Sequence, residues 1–173
     1  MLAQTFWKLV VADRTDFLDR LLDGLAAQGI RFCILGGQGV NAYVDPVVSL
    51  DLDVVIAIDQ RHSVEEWVRR EFQVEAFPHS LNISAPGSDL RVQIQLDPRY
   101  ETFLARTIER DVLGRRLPVA SLEDVLQGKV WAAGDPSRRA SKRQKDLADI
   151  ARLIETYPLL RSRVPADILS RLI

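Results

Sequence analysis

The stretch Ser49-Leu50-Asp51-Leu52-Asp53-Val54-Val55-Ile56-Ala57-Ile58 places two acids, one residue apart, at the entrance of an apolar run. The run at 54–58 predicts a buried β-strand. Side chains alternate between the two faces of a strand, so Asp51 and Asp53 are expected on the same face. Two neighbouring carboxylates repel each other unless a cation lies between them, and oxygen ligands of this kind suit Mg²⁺. The alternative is a pair of solvated acids that only marks where the strand begins.

A glycine turn precedes this strand. The apolar run 30–35 ends at Gly36 and Gly37, and the segment 38–44 has room for about two helical turns before Asp45-Pro46 ends it. A strand, a glycine turn and a helix start together present backbone N–H groups and the positive end of a helix dipole to an anion. The turn and the two acids therefore predict a bound nucleoside triphosphate beside a divalent cation. The alternative is a turn that needs glycine for its geometry alone.

These residues resemble the nucleotidyltransferase superfamily, which has the DNA-polymerase-β-like fold. Within it the chain is most similar to a small bacterial branch related to the AbiEii toxins and to the minimal nucleotidyltransferases of toxin–antitoxin pairs. Members carry a Gly-Gly or Gly-Ser turn, a short helix, an Asp-x-Asp that opens a strand, and often a later Lys-Asp-x-x-Asp-Ile-like segment, here Lys145-Asp146-Leu147-Ala148-Asp149-Ile150. The likeness covers residues 30–153. It implies an α/β (α+β) fold in which a mixed β-sheet is flanked by helices, with a core at 1–120 and a helical C-terminal extension at 121–173 packed on it.

The resemblance also implies roles for individual residues. Asp51 and Asp53 are expected to bind Mg²⁺ or Mn²⁺, and together with Gln93 they form the implied catalytic set. The implied nucleotide-binding residues are Gly36, Gly37, Gln38, Ser49, Lys129 and Lys145.

Two positions depart from the family pattern. Relatives often carry an arginine four residues before the first acid, where this chain has Val47. A third acid is expected on the strand at 90–97, most naturally at Gln93, but an amide carries no charge and cannot act as a general base. Asp97 shares the face of Gln93 but lies ~13 Å farther along a regular strand. The site is therefore expected to be one carboxylate short, which favours nucleotide binding with one metal over rapid transfer.

Length and charge narrow the class of protein. The 173 residues are 47% hydrophobic, enough for a real core, and a formal charge of −1 argues against a protein that coats nucleic acid. The segment 138–145 is dense in lysine and arginine and has two interpretations. It is either a phosphate-binding patch or a helix start whose charges pair along the helix, Lys142 with Asp146 and Lys145 with Asp149.

The single cysteine and the lack of long apolar segments bear on the compartment. Cys33 lies inside an apolar strand, so a buried structural thiol is expected. No stretch is long enough to span a membrane, and the apolar patch at 6–12 is too short for a signal peptide. A bacterial-type cytoplasmic protein is expected.

Periodicity and turn residues predict the other elements. A first helix is capped by Thr15 or Asp13 and ends at Gly29, and its leucines at 18, 21, 22 and 25 form one apolar stripe. Ser121 opens a capping-box-like start with Asp124 in the usual glutamate position. Further helices are predicted at 63–72, 100–109, 121–133 and 141–155, and further strands at 73–77, 81–84, 90–96 and 116–119.

Three functions follow from these observations. The first is a nucleotidyltransferase that moves a nucleoside monophosphate to a protein or RNA acceptor. The second is a catalytically impaired protein of the same fold that works as a binding partner, for instance in a toxin–antitoxin pair, which Gln93 favours. The third is a dinucleotide-binding protein, because Gly37-x-Gly39-x-x-Ala42 matches the glycine fingerprint and Asp59 falls at a suitable distance to meet a ribose.

Overall fold

The computed structural model describes residues 3–172 and has one mixed sheet with helices packed against it. The strands are β1 (Phe32–Leu35), β2 (Asp51–Ile56), β3 (Gln73–Phe77), β4 (Ser80–Ser84), β5 (Arg91–Gln95), β6 (Ile108–Val112) and β7 (Arg115–Val119). The helices are α1 (Ala3–Val10), α2 (Phe17–Ala27), α3 (Gly36–Asn41), α4 (Arg61–Glu71), α5 (Leu122–Gly134), α6 (Ala140–Thr156) and α7 (Ala166–Leu169). Short 3₁₀ helices cover Ile58–Gln60, Pro98–Arg106 and Pro158–Arg163.

The sheet has seven strands in the order β3-β4-β5-β2-β1-β7-β6. Strand β2 lies near the middle, antiparallel to β1 and parallel to β5, and β1 is parallel to β7. The predicted α/β class with a mixed sheet flanked by helices is confirmed. Because β1 and β2 are antiparallel, the glycine fingerprint does not open a parallel βαβ unit, and the structure contradicts the dinucleotide-binding alternative.

Helix α2 covers one face of the sheet with the predicted leucine stripe. Its leucines at 18, 21, 22 and 25 are all buried, as helical spacing requires of a one-sided apolar surface. Of the two predicted capping residues, Asp13 provides the stronger contacts, since its carboxylate accepts the backbone N–H of Phe17 at 3.0 Å and that of Leu18 at 3.3 Å. On α5, the Ser121 hydroxyl accepts the Asp124 N–H at 3.2 Å, which is one half of the predicted capping box, while the Asp124 carboxylate accepts from Arg106 at 2.7 and 3.0 Å.

The predicted helix at 100–109 is wrong over its last three residues. The chain forms a 3₁₀ helix at Pro98–Arg106 and then enters β6, so Ile108 and Glu109 are in a strand. The turn that follows explains the difference, because Leu113 and Gly114 both have positive φ, 55° and 80°, as a tight hairpin between β6 and β7 requires. The predicted strand at 54–58 is also too long at its end, since β2 stops at Ile56 and Ile58 starts a 3₁₀ helix.

Cys33 is fully buried in β1, as predicted. Burial, reinforced by the nearby charge of Asp124, raises the pKa of its thiol to about 12. The thiolate is the reactive form, so the folded protein is expected to resist a thiol reagent such as DTNB near pH 8 and to react fully once unfolded in urea. Reaction of the folded protein at the rate of a free thiol would contradict this placement.

Helices make up the chain after β7. Helices α5 and α6 pack against each other and against α3, which brings the basic segment 138–145 to the sheet face that carries Asp51 and Asp53. Among residues 3–172, none of the helices combines the length and the apolar composition that crossing a bilayer demands.

Candidate active site

Asp51 and Asp53 stand on one face of β2, at the centre of the sheet. Leu52 between them is fully buried on the other face, so the predicted alternation holds. Asp53 pairs in register with Leu35, the last residue of β1, on one side and with Gln93 of β5 on the other. The two acids therefore lie between the diglycine turn and the strand where a third acid was expected.

The diglycine turn touches the acid pair directly. Gly36 has a φ of +65°, and a Cβ atom added there would overlap the Asp53 carboxylate. A Cβ at Gly37 would meet only the Ser49 hydroxyl, at 3.7 Å. Helix α3 begins at Gly36, two residues before the predicted start at Gln38, and it ends at Asn41. The turn needs glycine at its first position for two reasons: the backbone conformation and the room for the carboxylate.

This difference between the two glycines is testable by alanine substitution. Gly36→Ala is expected to destabilise the fold by at least ~1–2 kcal/mol, the cost of a left-handed backbone at a residue with a Cβ, and to displace Asp53. Gly37→Ala is the matched control and is expected to change stability by less than ~0.5 kcal/mol. Urea unfolding of both variants measures the difference, and equal midpoints would contradict the close approach.

Two cations flank Asp51. The Arg91 Nη2 atom lies 2.9 Å from Asp51 Oδ1, and the Lys142 Nζ atom lies 3.2 Å from Asp51 Oδ2. Lys145, one turn further on α6, donates to the Ser49 hydroxyl at 3.4 Å. The predicted pairing of Lys142 with Asp146 and of Lys145 with Asp149 along the helix is therefore wrong. Both lysines instead face the sheet, because α6 packs with this side towards β2.

Asp53 has a different environment. No hydrogen bond or ion pair within 4 Å links its carboxylate to another residue of the 3–172 range that the structure describes. Burial raises the pKa of Asp53, and the charge of Lys129, attractive but outside ion-pair distance, opposes that rise. A desolvated carboxylate without a direct partner is destabilised until a cation approaches it.

Asp51 and Asp53 form a ligand set that suits a divalent cation. Asp51 and Asp53 offer hard oxygen ligands on one face, and the Gln93 amide oxygen lies beside Asp53 in register. Within the described chain, three His, Cys, Asp or Glu side chains do not converge at any point, so a metal here would have two carboxylates and an amide at most from the protein. Mg²⁺ commonly keeps waters and substrate phosphates in its remaining positions.

Behind the acid pair lies a buried group of charges that joins α5 to α6. Lys129 is buried and contacts Asp146 at 3.1 Å and Asp149 at 2.7 Å. Arg138 bonds the other oxygen of Asp146 at 2.7 Å, and Arg152 bonds Asp149 at 2.8 Å. Burial alone would lower the pKa of Lys129, but Asp149 and Asp146 outweigh it, so the pKa is raised and the lysine stays charged.

Two of the residues expected to bind nucleotide are buried and have their side chains engaged by other parts of the protein. Lys129 is engaged by Asp146 and Asp149 and acts on Asp53 through its charge. Gln38 is buried, and its amide donates to the Ser49 carbonyl at 3.2 Å. The side chains of Lys129 and Gln38 are therefore not available to bind a nucleotide. Gly36, Gly37, Ser49 and Lys145 do lie together around the acid pair.

Gln93 occupies the position where the third carboxylate was expected. The parallel pairing of β2 with β5 sets it opposite Asp53, as the strand assignment predicted. Asp97 lies beyond the end of β5, where Arg99 binds its carboxylate at 2.9 Å and helps to hold its pKa low against the effect of burial. Asp97 does not replace the missing acid, so the shortage of one carboxylate persists in the folded chain.

Two cavities open beside Gln93. The first, about 510 Å³, is lined by Asp51, Asp53 and Arg91 together with residues of β3 and β4. The second, about 570 Å³, lies towards the end of β5 and includes Asp97 and Trp131. Gln93 and Arg138 line both cavities. The acid pair thus has the diglycine turn on one side and an open, polar surface on the other.

Sequence reasoning missed three cations at this site: Arg91, Arg138 and Lys142. Arg91 lies two residues before Gln93 and opposite Asp51, so strand alternation and the correct register would have found it. Arg138 and Lys142 lie in the basic segment, and only the packing of α6 on the sheet shows which of its cations face the acids.

Comparison with known proteins identifies the fold. No protein-family model matches the chain, and no curated protein matches it significantly in sequence. The antibiotic-resistance factor ANT(2'')-Ia superposes with a TM-score of 0.56 and 15% identity over 84% of this chain and 90% of its own. LnuA, a lincosamide antibiotic adenylyltransferase solved with lincomycin bound, gives 0.54 and 13% over 79% of this chain and 95% of its own. The chain has a nucleotidyltransferase-like fold.

A third match shares this nucleotidyltransferase-like fold. An antigenic nucleotidyltransferase-like protein from Paracoccidioides brasiliensis superposes with a TM-score of 0.51 and 18% identity over 89% of this chain and 76% of its own. Identities this low establish the fold alone. The narrower likeness to AbiEii-type toxins stays a prediction.

Proposed function

We propose that this chain binds a nucleoside triphosphate with a divalent cation and transfers a nucleoside monophosphate to an acceptor. The observation that carries the proposal is the position of Asp51 and Asp53, side by side on β2 with Asp53 against the Gly36 turn. The nucleotidyltransferase-like fold supports the same reaction class. An intracellular, cytoplasmic setting is proposed with it, because that compartment supplies nucleoside triphosphates.

The triphosphate is proposed to lie between the diglycine turn and α6. Backbone N–H groups at Gly36 and Gly37, the Ser49 hydroxyl and the ammonium groups of Lys142 and Lys145 would bind its oxygens, since charged donors form the strongest hydrogen bonds to phosphate. When the nucleotide arrives, Lys142 exchanges its present partner Asp51 for phosphate. The exchange leaves an oxygen of Asp51 free for the cation.

Asp51 and Asp53 are the residues proposed to hold Mg²⁺ or Mn²⁺, with Gln93 at its edge. A divalent cation in this place supplies charge neutralisation between the carboxylates and the phosphates, which favours displacement at phosphorus. The chain's own contribution is to position the triphosphate in line with the acceptor and, through the charge of Lys129, to oppose the rise in the Asp53 pKa that burial causes.

Two experiments test the proposal. Binding of each nucleoside triphosphate, with and without Mg²⁺ or Mn²⁺, is measured by calorimetry on the purified chain. Transfer is measured with α-labelled triphosphates in the presence of cell extract, followed by release of labelled product or of pyrophosphate. Triphosphate binding that needs no divalent cation and is unaffected by Asp51→Ala would overturn the assignment.

The two lysines of α6 are expected to contribute to nucleotide affinity. Lys142→Ala and Lys145→Ala should each weaken triphosphate binding about tenfold, because a hydrogen bond to a charged group contributes about 1.5–3 kcal/mol. Arg139→Ala is the matched control, since Arg139 belongs to the same basic segment but, among the described residues, contacts neither Asp51 nor Ser49 as Lys142 and Lys145 do. Calorimetric titration at two salt concentrations measures the difference. If Arg139→Ala weakened triphosphate binding as much as the lysine substitutions do, the basic segment would attract the nucleotide through its overall charge and not through specific contacts.

A second candidate function is a nucleotidyltransferase fold that binds nucleotide without rapid turnover and works as a toxin–antitoxin partner. Gln93 at the position of a third carboxylate favours it, because an amide accepts no proton from an acceptor. Pull-down from the host together with the transfer assay separates the two candidates. Measured turnover without a co-purifying partner supports the first, and a stable partner without turnover supports the second.

The acceptor was expected to be a protein or an RNA, and the structural neighbours add a third class. LnuA was solved with lincomycin, and ANT(2'')-Ia with adenylyl-2''-tobramycin, so proteins of this fold bind small molecules. We include small polar molecules among the acceptors that the transfer assay has to cover.

A further inference from the structure

A row of polar side chains crosses the sheet beside Asp53. The strand register sets Gln93 opposite Asp53, Asn82 opposite Gln93 and Glu75 opposite Asn82. Residues directly opposite each other in a sheet point to the same face, so the row forms one surface with the acid pair. All four residues line the 510 Å³ cavity. The cavity floor is therefore continuous from the acid pair to the sheet edge at β3.

Amide and hydroxyl side chains lie on the sheet surface between the charged residues of this cavity. Gln73 and Ser84, which pair with each other in the neighbouring row, also line the cavity with Asn82 and Gln93. Amides and hydroxyls both donate and accept hydrogen bonds, and such groups suit a ligand that carries several hydroxyls. A cavity of about 510 Å³ has the size of a small-molecule site. A polyhydroxylated small molecule matches both the chemistry and the volume.

The acceptor side of the acid pair lacks a proton acceptor within reach. Gln93 occupies the nearest position and cannot take a proton. Glu75 lies two strands beyond Gln93, ~10 Å away at the usual strand spacing. Asp97, four residues along β5, is bound by Arg99 at 2.9 Å, and His79 sits beside Leu96 at the same end of the strand. An acceptor hydroxyl at Gln93 would keep its proton.

Asp51 and Asp53 do not fill this gap. Asp51 is paired with Arg91 at 2.9 Å and Lys142 at 3.2 Å, and both acids are assigned to the divalent cation. A nucleophile that is already ionised at neutral pH needs no base, because it has no proton to lose. The chemistry of the site therefore favours an oxyanion over a hydroxyl as the attacking group.

Two arginines, Arg138 and Arg91, line the cavity in which such an oxyanion would bind. Arg138 lines both cavities with Gln93, and its Nε atom is bonded to Asp146 at 2.7 Å. The hydrogen bonds among residues 3–172 leave its two terminal nitrogens without a partner. Arg91 lines the first cavity as well, paired with Asp51. A guanidinium binds phosphate through two parallel hydrogen bonds.

We propose that the acceptor is a small polyhydroxylated molecule whose nucleophile is a phosphate monoester, bound across the Gln93–Asn82 row with its phosphate at Arg138. The inference rests on the proposed function and names its substrate class. In the step, an ionised oxygen of the acceptor phosphate attacks the α-phosphorus of the triphosphate. A new P–O–P bond forms, the bond from the α-phosphorus to the oxygen bridging the β-phosphorus breaks, and pyrophosphate leaves with that electron pair. No proton is transferred.

The test compares glucose 1-phosphate with glucose as acceptors for each α-labelled triphosphate. For the full chain with Mg²⁺, kcat/KM for glucose 1-phosphate is expected to exceed that for glucose by at least ~100-fold, the low end of what a general base contributes to a hydroxyl nucleophile. Gln93→Asp is expected to reverse the order, because the new carboxylate repels phosphate and accepts a hydroxyl proton. Calorimetric binding of glucose 1-phosphate without nucleotide provides a readout that does not depend on turnover.

A charge-matched pair of variants guards against misfolding. Asn82→Asp adds a negative charge to the exposed cavity floor and is expected to weaken glucose 1-phosphate binding about tenfold while leaving triphosphate binding unchanged. Gln144→Glu adds the same charge at an exposed position of α6 and serves as the control. Transfer to glucose, to glucuronate or to a macromolecule in extract at the rate seen with glucose 1-phosphate would overturn the inference and leave the proposed function standing. Absence of triphosphate binding would overturn both.

Discussion

Replacing Asp53 with asparagine is expected to abolish nucleotidyl transfer and, in the same protein, to raise the melting temperature measured without metal. Loss of transfer follows from the proposed role of Asp53 as a cation ligand. Substitution of a group that only orients a metal ligand typically lowers metal affinity or activity 10–100-fold. Loss of the ligand itself is therefore expected to lower activity by at least ~100-fold. The gain in stability follows from the environment of the carboxylate.

The direction of the stability change comes from the pKa of Asp53. Burial raises this pKa in the folded protein, so the ionised form costs free energy there. The contribution of Asp53 to stability is fully present below its unfolded pKa, about 3.9, and is lost as the pH rises through the higher folded value. Asparagine carries no charge, so Asp53→Asn should be more stable than the parent at neutral pH, and the difference should vanish as the pH falls towards 4.

The expected gain is ~2–4 °C in melting temperature near pH 7.5, which corresponds to about 1 kcal/mol for a chain of this length. Addition of Mn²⁺ should raise the melting temperature of the parent and leave that of Asp53→Asn unchanged, because the ligand is gone. Asp59→Asn is the control, an exposed acid paired with Arg31 on the far side of β2. A variant that is less stable than the parent at every pH, or that still responds to Mn²⁺, would contradict the assignment.

Among substitutions of charged residues in this chain, Lys129→Met is expected to give the largest loss of stability. Lys129 is buried between Asp146 and Asp149, which are buried as well, and its charge also reaches Asp53. Removing the cation leaves buried carboxylates short of a partner, and such a loss typically costs about 3–5 kcal/mol. For a chain of this length the melting temperature should fall by ~6–20 °C.

The matched control is Lys145→Met, a lysine on α6 that is exposed and, within residues 3–172, bonds through its side chain to the Ser49 hydroxyl alone. Its effect on stability is expected to stay within ~0.5 kcal/mol. A triple variant, Lys129→Met with Asp146→Asn and Asp149→Asn, should recover part of the loss, because the two buried carboxylates are neutralised and the arginines that lose them, Arg138 and Arg152, are more exposed to water. If Lys129→Met unfolded at the same temperature as Lys145→Met, the buried charge group would not hold α5 to α6 as described.

Strand alternation was the most productive rule for the site. It placed Asp51 and Asp53 on one face and set Gln93 beside them once β2 and β5 paired. The leucine stripe of α2 and the Ser121 cap were equally predictable from the sequence, because helical spacing and end capping depend on residues only a few positions apart. In each case the pattern depends on local backbone geometry.

The errors lie where local patterns compete. The segment 107–112 has no strong helix stop, and only the hairpin turn at Leu113-Gly114, which pairs β6 with β7, makes it a strand. The lysines of α6 had carboxylates at helical spacing, yet Lys142 bonds Asp51, 91 positions away. An exposed pair along a helix gains little free energy, so packing against the sheet decides which partner a long side chain reaches.

The amino-acid sequence by itself therefore determined the carboxylate pair, the glycine at the bend, the buried strands that carry them and the amide in place of a third acid. These features follow from the two-residue and 3.6-residue periods of the backbone and from side-chain chemistry, which hold whatever the rest of the chain does. Tertiary structure decided which cations face those carboxylates: Lys142 and Arg91 at Asp51, Lys129 near Asp53, and Arg138 at the acceptor side. Their partners come from distant parts of the chain, so the pairing of β2 with β5 and the packing of α5 and α6 on the sheet decide which opposite charges meet.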